Sequence, residues 1–218
     1  MNSASRGRLI SFEGLDGAGK TTQMQLLEQW LQEQGTAYVR TREPGGTSLG
    51  AEIRQLLLNR PELSIIPLAE AFLFQADRAQ HFAELVIPAM QAGKLVITDR
   101  SYDASIAFQG VARGVGPELI EQLSMLATHG LKPDLTILLD LDPSQVHQRT
   151  DVTADVSGLR QERTRFDAEA EEFHQKVQEG FRMLARKYPE RIKVVDASRT
   201  VEEIHREIVG LVSRLLKS

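Results

Sequence analysis

The sequence feature that most constrains the fold is the segment Gly-Leu-Asp-Gly-Ala-Gly-Lys-Thr at positions 14–21, which matches the phosphate-binding pattern G-x-x-x-x-G-K-[ST]. The apolar run Leu9–Phe12 precedes it and is typical of a strand, and residues 20–34 follow with a helical pattern. In that context the loop amides and the positive end of the helix form a cradle for phosphates. Lys20 adds a charge for the β and γ phosphates of a nucleotide, and Thr21 adds a hydroxyl for magnesium. The alternative is a glycine-rich turn without a ligand.

Short apolar runs alternate with longer amphipathic runs along the rest of the chain. The short runs are continuously apolar, which is typical of strands covered on both faces, as in a parallel sheet. The predicted strands are Leu9–Phe12, Ala37–Thr41, Leu95–Thr98, Leu135–Asp140 and Ile192–Val195. The predicted helices are 20–34, 47–58, 67–91, 117–128, 168–188 and 200–216. This alternation predicts a single α/β domain over residues 1–218, with a five-stranded parallel sheet flanked by helices and ligands at the carboxyl ends of the strands.

One stretch, at about 150–167, breaks this alternation. From Thr150 to Arg165 it is polar and has no apolar periodicity, and it holds Arg160, Arg163 and Arg165 close together. A loop this long in a compact domain is usually functional or disordered. We expect a lid that brings positive charge onto phosphates, and a solvated surface loop is the alternative.

Two further segments follow predicted strands. Pro44 and the glycines after it predict a turn that holds Arg42 and Glu43 at the rim of the sheet, facing the cradle, and Thr47 can cap the next helix. An ordinary turn with a surface ion pair is the alternative.

Asp99 and Arg100 end the third predicted strand. An acid there suits the magnesium side of a phosphate site, and the arginine beside it can hold a phosphoryl oxygen. The alternative is a salt bridge at the end of the strand.

Phe74 and Arg78 lie four residues apart in a predicted helix and therefore share a face. Together they could stack on a base and hydrogen-bond its edge, although a core phenylalanine beside a solvated arginine is the more usual arrangement. The five histidines show no metal-ligand clustering and are expected to be structural or surface residues.

The composition excludes several classes of function. The chain has no cysteine, which removes disulfides, thiol nucleophiles and cysteine-bound zinc. Its net charge of −4 argues against a nucleic-acid partner. No apolar run is long enough to span a membrane, and the first residues lack the pattern of a signal peptide, so we expect a cytoplasmic protein.

Taken together, several motifs resemble those of the bacterial thymidylate kinases. The P-loop, Thr-Arg-Glu-Pro-Gly-Gly-Thr at 41–47, Ala-Asp-Arg-Ala-Gln-His at 76–81, Asp-Arg at 99–100 and Phe-Gln-Gly at 108–110 occur in the order of that family. The resemblance runs from about Leu9 to Arg206, and the second and third motifs are the most specific. It implies the fold of P-loop nucleoside monophosphate kinases and transfer of the γ-phosphoryl group of ATP to thymidine monophosphate.

The resemblance also implies roles for individual residues. ATP would be bound by the P-loop and one later arginine: Gly14, Leu15, Asp16, Gly17, Ala18, Gly19, Lys20, Thr21, Thr22 and Arg149. The acceptor would be bound by Asp16, Glu43, Arg54, Phe74, Arg78, Arg100, Ser105, Phe108 and Gln109. Within that set, Asp16 would lie near the 3′-hydroxyl, Phe74 would stack on thymine and Gln109 would complete the edge of the base. Mg²⁺ would be held at Thr21 and Asp99, and Lys20, Arg100 and Arg160 would be the catalytic residues.

Three features of the resemblance bear on details of the site. The family places a catalytic arginine in the P-loop or in the lid, and Gly17 occupies the loop position here, which implies Arg160, with Arg163 as the fallback. Phe108 stands where the family has a tyrosine near the acceptor sugar, which affects 2′ and 3′ discrimination rather than the reaction. The family also forms homodimers through helices packed face to face, which implies a homodimer here.

Three other interpretations of the same residues compete with this one. Another P-loop kinase would share the donor site and differ at Phe74, Arg78, Ser105 and Gln109. A nucleotide-dependent switch would need no acceptor, but the guanine motif Asn-Lys-x-Asp of GTPase switches does not occur. A purely structural α/β domain would leave the cradle, the acid–arginine pair and the arginine-rich segment unexplained together.

Overall fold

The architecture is a parallel sheet with helices on both sides, seen in a computed structural model that describes residues 6–142, 166 and 169–217. The strands are β1 (Leu9–Glu13), β2 (Tyr38–Arg42), β3 (Leu95–Asp99), β4 (Leu135–Asp140) and β5 (Ile192–Asp196). All pair in parallel in the order β2-β3-β1-β4-β5. The predicted α/β class and five-stranded parallel sheet are confirmed, and each strand boundary lies within one residue of its prediction.

The helices follow the predicted pattern with two differences. They are α1 (Lys20–Glu33), α2 (Ser48–Leu58), α3 (Pro67–His81), α4 (Ile87–Gln91), α5 (Tyr102–Ser105), α6 (Pro117–Ala127), α7 (Glu171–Lys187) and α8 (Val201–Lys217). The predicted helix 67–91 is α3 and α4 joined by a π-helical turn, Phe82–Val86. Pro88 cannot donate to Glu84, and its ring would clash with that carbonyl in a regular α-helix, so the wider turn accommodates it.

The second difference is a helical segment that the sequence pattern did not reveal. After α5 the chain continues as a π-helix, Ile106–Ala112, which holds Phe108 and Gln109. A Cβ at Gly180 of α7 would lie 2.9 Å from Ala107 Cα, so only glycine allows this close packing of α7 on the π-helix. The packing fixes one wall of the region beside the P-loop.

The core lies on both faces of the sheet, as continuously apolar strands require. On one face, alternate strand residues such as Ile10 and Ile97 pack against α1 and α8. On the other, Leu9 and Val96 pack against the π-helical turn and α4, while Leu138 and Ile192 pack against the helices around the π-helix. Among the helices of the described residues, none is both long and apolar enough to cross a membrane.

Candidate active site

The P-loop forms the tight turn that its glycines predict. Gly14, Gly17 and Gly19 all have φ in the left-handed region, at 131°, 80° and 95°. A Cβ at Gly14 would also lie 2.4 Å from the carbonyl oxygen of Leu139, so any larger residue would push the loop away from β4. The loop ends at Lys20, the first residue of α1, which places the N-terminus of that helix directly behind the cradle.

Lys20 is buried at the centre of the loop. Its Nζ donates to the carbonyl oxygens of Gly14 at 3.3 Å and Leu15 at 3.0 Å, and lies 3.5 Å from Asp16 Oδ1. Burial and the nearby Arg100 lower the pKa of Lys20. An anion at this position would therefore be bound by an ammonium group already taken out of water.

Arg100 joins the end of β3 to the P-loop. Its NH1 donates to the carbonyl oxygen of Gly14 at 3.0 Å, and its NH2 donates to Asp16 Oδ1 at 2.8 Å. Although burial opposes the effect, Arg100 and Lys20 hold the pKa of Asp16 well below its usual range. Two cations and one carboxylate thus share the mouth of the loop.

The backbone of Arg100 is strained, with φ at +68° in a residue that is not glycine. Three hydrogen bonds hold it there: Arg100 N–H to the Phe12 carbonyl at 3.0 Å, Thr98 Oγ1 to the Arg100 carbonyl at 2.8 Å, and Ser101 N–H to Glu13 Oε1 at 2.8 Å. Glu13 is fully buried, and burial together with the charge of Asp103 raises its pKa to about 8. Strain held by several independent contacts is typical of functional positions.

Asp99 lies next to this arginine, and its neighbours on the adjoining strands are Phe12 and Arg42. Its Oδ1 is buried and has no hydrogen-bond partner among the described residues. Such an orphaned carboxylate oxygen suits a hydrated cation, and Thr21 stands at the start of α1 with its hydroxyl. No group of three or more His, Asp or Glu side chains in the described ranges could hold a metal. The two oxygen donors, the Thr21 hydroxyl and the Asp99 carboxylate, are of the kind that Mg²⁺ binds when phosphates and water supply its other ligands.

Arg78 is at the centre of a second polar cluster and is only 1% exposed. Its Nε donates to Glu43 at 2.8 Å, NH1 to Gln75 at 2.9 Å and Ser124 at 3.4 Å, and NH2 to Ser105 at 3.0 Å. Within the described part of the chain these contacts use four of the five guanidinium N–H groups, so one on NH2 remains for a ligand. Helical spacing alone suggested that this arginine is solvated, but its side chain is buried and hydrogen-bonded within the protein.

Glu43 is likewise buried, rather than lying at an exposed rim. Besides Arg78 it contacts His81 Nδ1 at 2.9 Å, and His81 Nε2 lies 2.7 Å from Thr41 Oγ1. Against the effect of burial, Arg78 and His81 lower the pKa of Glu43, so this carboxyl is ionised. His81 was expected to be a structural or surface residue, and its contacts with Glu43 and Thr41 give it a structural role.

A side chain of α3, Asp77, holds the turn that follows Glu43. Asp77 Oδ1 accepts from Gly45 N–H at 2.9 Å, and burial and the charge of Glu43 raise the pKa of Asp77 to about 6. Arg54 NH1 donates to the Pro44 carbonyl at 3.0 Å, and Thr47 caps α2 by accepting from Gly50 N–H at 3.0 Å. The predicted cap is confirmed, and the turn is held from both sides.

Aromatic side chains line the space between the two clusters. The rings of Phe74 and Phe166 have centroids 6.3 Å apart, and Phe108 meets Phe166 edge-on at 5.7 Å. The guanidinium carbon of Arg100 lies 5.0 Å from the centroid of Phe108. Phe108 therefore contacts Arg100 and the ring of Phe166, whereas the family resemblance implied only that it lies near a sugar.

Glu70, Arg113 and Glu169 belong to the second cluster and were not singled out from the sequence. Glu70 accepts from Gln109 Nε2 at 2.8 Å and lies 3.5 Å from Arg113 Nε, and Arg113 NH2 donates to Glu169 at 2.5 Å. Glu70, Phe74 and Arg78 recur every four residues, and this shared face of α3 was the signal that could have revealed Glu70.

The structure thus brings the predicted P-loop residues, Asp99 and Arg100 together at one end of the site, and Glu43, Phe74, Arg78, Ser105 and Gln109 together at the other. The two ends adjoin where Glu43 N–H donates to the carbonyl oxygen of Asp99 at 2.9 Å. Phe108 lies between them, and Arg54 lies beside the Pro44 turn. Arg149, Arg160, Arg163 and the proposed lid, apart from Phe166, lie outside the described residues.

Comparison with known proteins gives a consistent picture. The model of a family described as thymidylate kinase matches residues 12–208. The chain is 46% identical to the thymidylate kinase of Symbiobacterium thermophilum over 208 residues, covering 95% of this chain and 93% of that one. It is 50% identical to the thymidylate kinase of Leifsonia xyli, with 93% and 92% covered. A crystal structure of thymidylate kinase from Ehrlichia chaffeensis superposes with a TM-score of 0.74 at 32% identity, covering 95% of this chain and 99% of that one.

Proposed function

We infer the roles of individual residues from the premise that this chain belongs to the thymidylate kinase family and transfers a phosphoryl group from ATP to thymidine monophosphate (dTMP). The products are thymidine diphosphate and ADP. The reaction needs no strong general base, because the acceptor phosphate is already ionised at neutral pH. Catalysis then rests on positioning and on stabilising the charge of the migrating group.

At the donor end, we propose that the P-loop residues 14–22 bind the phosphates of ATP, with Lys20 at the β and γ phosphates. Arg100 would lie between donor and acceptor phosphates. The observation that best supports this is the pair of hydrogen bonds from Arg100 to Gly14 and Asp16, which sets a second cation beside Lys20 before any ligand binds. Arg149 would contact the adenosine side.

Thr21 and Asp99 would hold Mg²⁺ at the same end. The orphaned Oδ1 of Asp99 supports this assignment. The bound cation would neutralise charge on the phosphate oxygens. The chain's own contribution is to keep Asp99 at the end of β3, two strands from β4 and next to β1, where the P-loop begins.

At the acceptor end, we propose that Phe74 stacks on thymine, while Arg78, Ser105 and Gln109 bind the edge of the base. Glu43 and Arg54 would lie near the acceptor phosphate, and Asp16 and Phe108 near the sugar. The buried hydrogen bonds of Arg78 support this, because they fix the direction of its remaining N–H.

We further propose that residues 150–167 form a lid and that Arg160 supplies the catalytic arginine of the family, with Arg163 as the fallback. The support is the family resemblance and the glycine at position 17 of the P-loop. Replacing Arg160 with alanine should lower kcat by roughly 10³-fold, and Arg163→Ala should have a small effect. The reverse order of the two effects would exchange their roles.

The same premise suggests a cytoplasmic homodimer that does not bind nucleic acid, with residues 1–218 folding as a single domain. Exposed apolar side chains on α2, α3 and α6 support the dimer: Leu49, Leu56, Leu68, Phe72, Leu119 and Leu126. Sedimentation equilibrium would report one species of twice the chain mass. A monomer at micromolar concentration would contradict this.

The reaction is tested by ADP release from magnesium ATP, measured without an acceptor and then with each common nucleoside monophosphate. Fast turnover is expected with dTMP and slower turnover with the deoxyuridine analogue, because a methyl group in an apolar pocket is worth only ~1–3 kcal/mol. Omitting Mg²⁺ should abolish turnover. Acceptor-independent hydrolysis would instead support a nucleotide switch, and preference for another monophosphate would overturn the roles of Phe74, Arg78 and Gln109.

A further inference from the structure

We propose that Glu70 is a specificity-determining residue that orients the amide of Gln109 so that its carbonyl oxygen faces the base. The inference rests on the proposed function, in which Gln109 lies at the edge of thymine. It adds a residue that does not touch the substrate and yet decides which base fits.

The contact that supports this is a buried hydrogen bond between two different elements. Gln109 Nε2, on the π-helix, donates to Glu70 Oε1, on α3, at 2.8 Å. Both residues are 1% exposed. Water therefore cannot replace either partner without a rearrangement of the packing.

The orientation of the amide follows from chemistry as well as from position. An ionised carboxylate only accepts hydrogen bonds, whereas an amide has a donating nitrogen and an accepting oxygen. Turning the Gln109 amide over would place its oxygen against Glu70, two acceptors without a proton between them. In a buried site that arrangement is disfavoured by ~10-fold or more.

Arg113 keeps the carboxylate in place. Its Nε lies 3.5 Å from Glu70 Oε1, and the arginine is itself fixed by a hydrogen bond to Glu169 at 2.5 Å and by packing on the ring of Phe173 at 4.5 Å. Glu70 thus contacts a cation as well as the amide of Gln109. A chain of contacts thus runs from Glu169 through Arg113 and Glu70 to Gln109. It fixes the direction of the side-chain carbonyl oxygen of Gln109.

A carbonyl oxygen discriminates between pyrimidines. Thymine has an N–H at N3 and matches an acceptor, whereas cytosine has an unprotonated N3 and would face oxygen with a lone pair. A site that mispairs a buried polar group in this way rejects the wrong ligand strongly. If the amide could turn over, Gln109 would donate to cytosine and this part of the discrimination would be lost.

The variant Glu70→Gln allows that turn, because glutamine can donate as well as accept. The quantity to measure is the ratio of kcat/KM for dTMP to kcat/KM for deoxycytidine monophosphate. We expect Glu70→Gln to lower the ratio by ~10-fold or more. A variant that only loosens the fold would lower both constants and leave their ratio unchanged, so a folded Glu70→Gln protein with the parent ratio would overturn the inference.

Glu84→Gln is the matched control. Glu84 accepts from Gln80 Nε2 at 2.8 Å, which is the same glutamine–glutamate pair at the same distance, but Glu84 is exposed. This substitution should leave the ratio at the parent value. An equal fall in the control would show that the effect of Glu70→Gln does not come from Gln109, and this too would overturn the inference.

Gln109→Met separates the two levels of the argument. If Gln109→Met leaves the ratio unchanged, Gln109 does not read the base, and that part of the proposed function fails. If Gln109→Met lowers the ratio and Glu70→Gln does not, Gln109 reads the base without help from Glu70, and only the present inference fails.

A measurement on the unmodified protein does not depend on the folding of any variant. With ¹⁵N-labelled glutamine, one side-chain amide proton of Gln109 should be shifted downfield by its bond to Glu70, and dTMP should leave that proton in place. Loss of the downfield signal on adding dTMP would mean that the amide donates to the base, which contradicts the inference.

Discussion

The two ends of the site differ in how exposed their arginine–carboxylate pairs are. At the donor end, Asp16 is about one-third exposed, Arg100 contacts it at the surface of the P-loop, and one buried oxygen of Asp99 has no partner among the described residues. At the acceptor end, Arg78 and Glu43 are almost fully buried and bonded to one another and to their neighbours.

The difference indicates two ways of preparing a site. Phosphates and a cation bring enough charge to complete a partly paired cluster, so the donor end needs only to hold its groups nearby. A neutral base brings little binding energy, so the acceptor end must be ordered in advance. Substitutions should therefore change rate at the donor end and stability at the acceptor end.

The largest effect is expected from Arg78→Met, which leaves Glu43 buried with one cation fewer. We expect the free energy of unfolding in urea to fall by about 3–5 kcal/mol. Arg40→Met is the control, because Arg40 and Glu28 form a 2.6 Å pair that is partly exposed, and it should cost at most ~1 kcal/mol. Equal losses for the two variants would break the comparison.

Arg100→Ala should show the opposite behaviour. We expect kcat to fall by about 10²–10³-fold because a cation at the migrating phosphoryl group is lost, while the free energy of unfolding falls by less than it does for Arg78→Met. Arg182→Ala removes a similar arginine–aspartate pair, with Asp140 at the end of β4, and should leave kcat unchanged. A variant of Arg100 that is fully active would exclude it from the reaction.

The acceptor end could be foreseen less well than the donor end, and the reason is physical. Local sequence dictates the P-loop, because glycine spacing, the strand before it and the helix after it lie within one short segment. The position of Asp99 and Arg100 beside the P-loop can also be predicted, because the carboxyl ends of neighbouring parallel strands lie at the same edge of the sheet.

The burial of Arg78, by contrast, depends on Glu43, Ser105 and Ser124, which lie up to 46 residues away. Helical spacing predicts which residues share a face but not what that face meets, so a solvated arginine was the natural expectation. The helical segment 102–112 was missed for a related reason: it has no clear 3.6-residue apolar period, and its π-helical part is stabilised by packing on α7.

An effect that depends on pH is expected from Glu13→Gln at the donor end. The pKa of Glu13 is raised from 4.5 to about 8 by burial and Asp103. The folded parent therefore binds a proton more tightly than the unfolded chain, and its stability falls as pH rises from about 4.5 through 8. The glutamine variant lacks this loss, and relative to it the parent should lose about 1.4 kcal/mol of stability for each pH unit of the window. Parallel pH–stability curves for the two proteins would contradict this.

At the acceptor end, Asp77→Asn should also remove a loss of stability with rising pH, but a smaller loss than Glu13→Gln removes. Burial and Glu43 raise the pKa of Asp77 from 3.8 to about 6, so the loss of stability with rising pH is complete soon above pH 6. Asparagine keeps an oxygen for Gly45 N–H, and it should stabilise the protein at pH 7 by about 3 kcal/mol. Thermal unfolding at pH 4 and pH 7 would check this, and a destabilised variant at pH 7 would show that the charge of Asp77 is needed.

The most direct test of the difference between the two ends is amide hydrogen exchange, read by mass spectrometry in the free protein, with a non-hydrolysable ATP analogue and with dTMP. We expect residues 43–47, 70–81 and 105–113 to be protected already in the free protein and to change little with dTMP. Residues 14–22 and 99–101 should gain most of their protection when the ATP analogue binds. Rapid exchange of the acceptor segments in the free protein, with protection only after dTMP is added, would contradict the account.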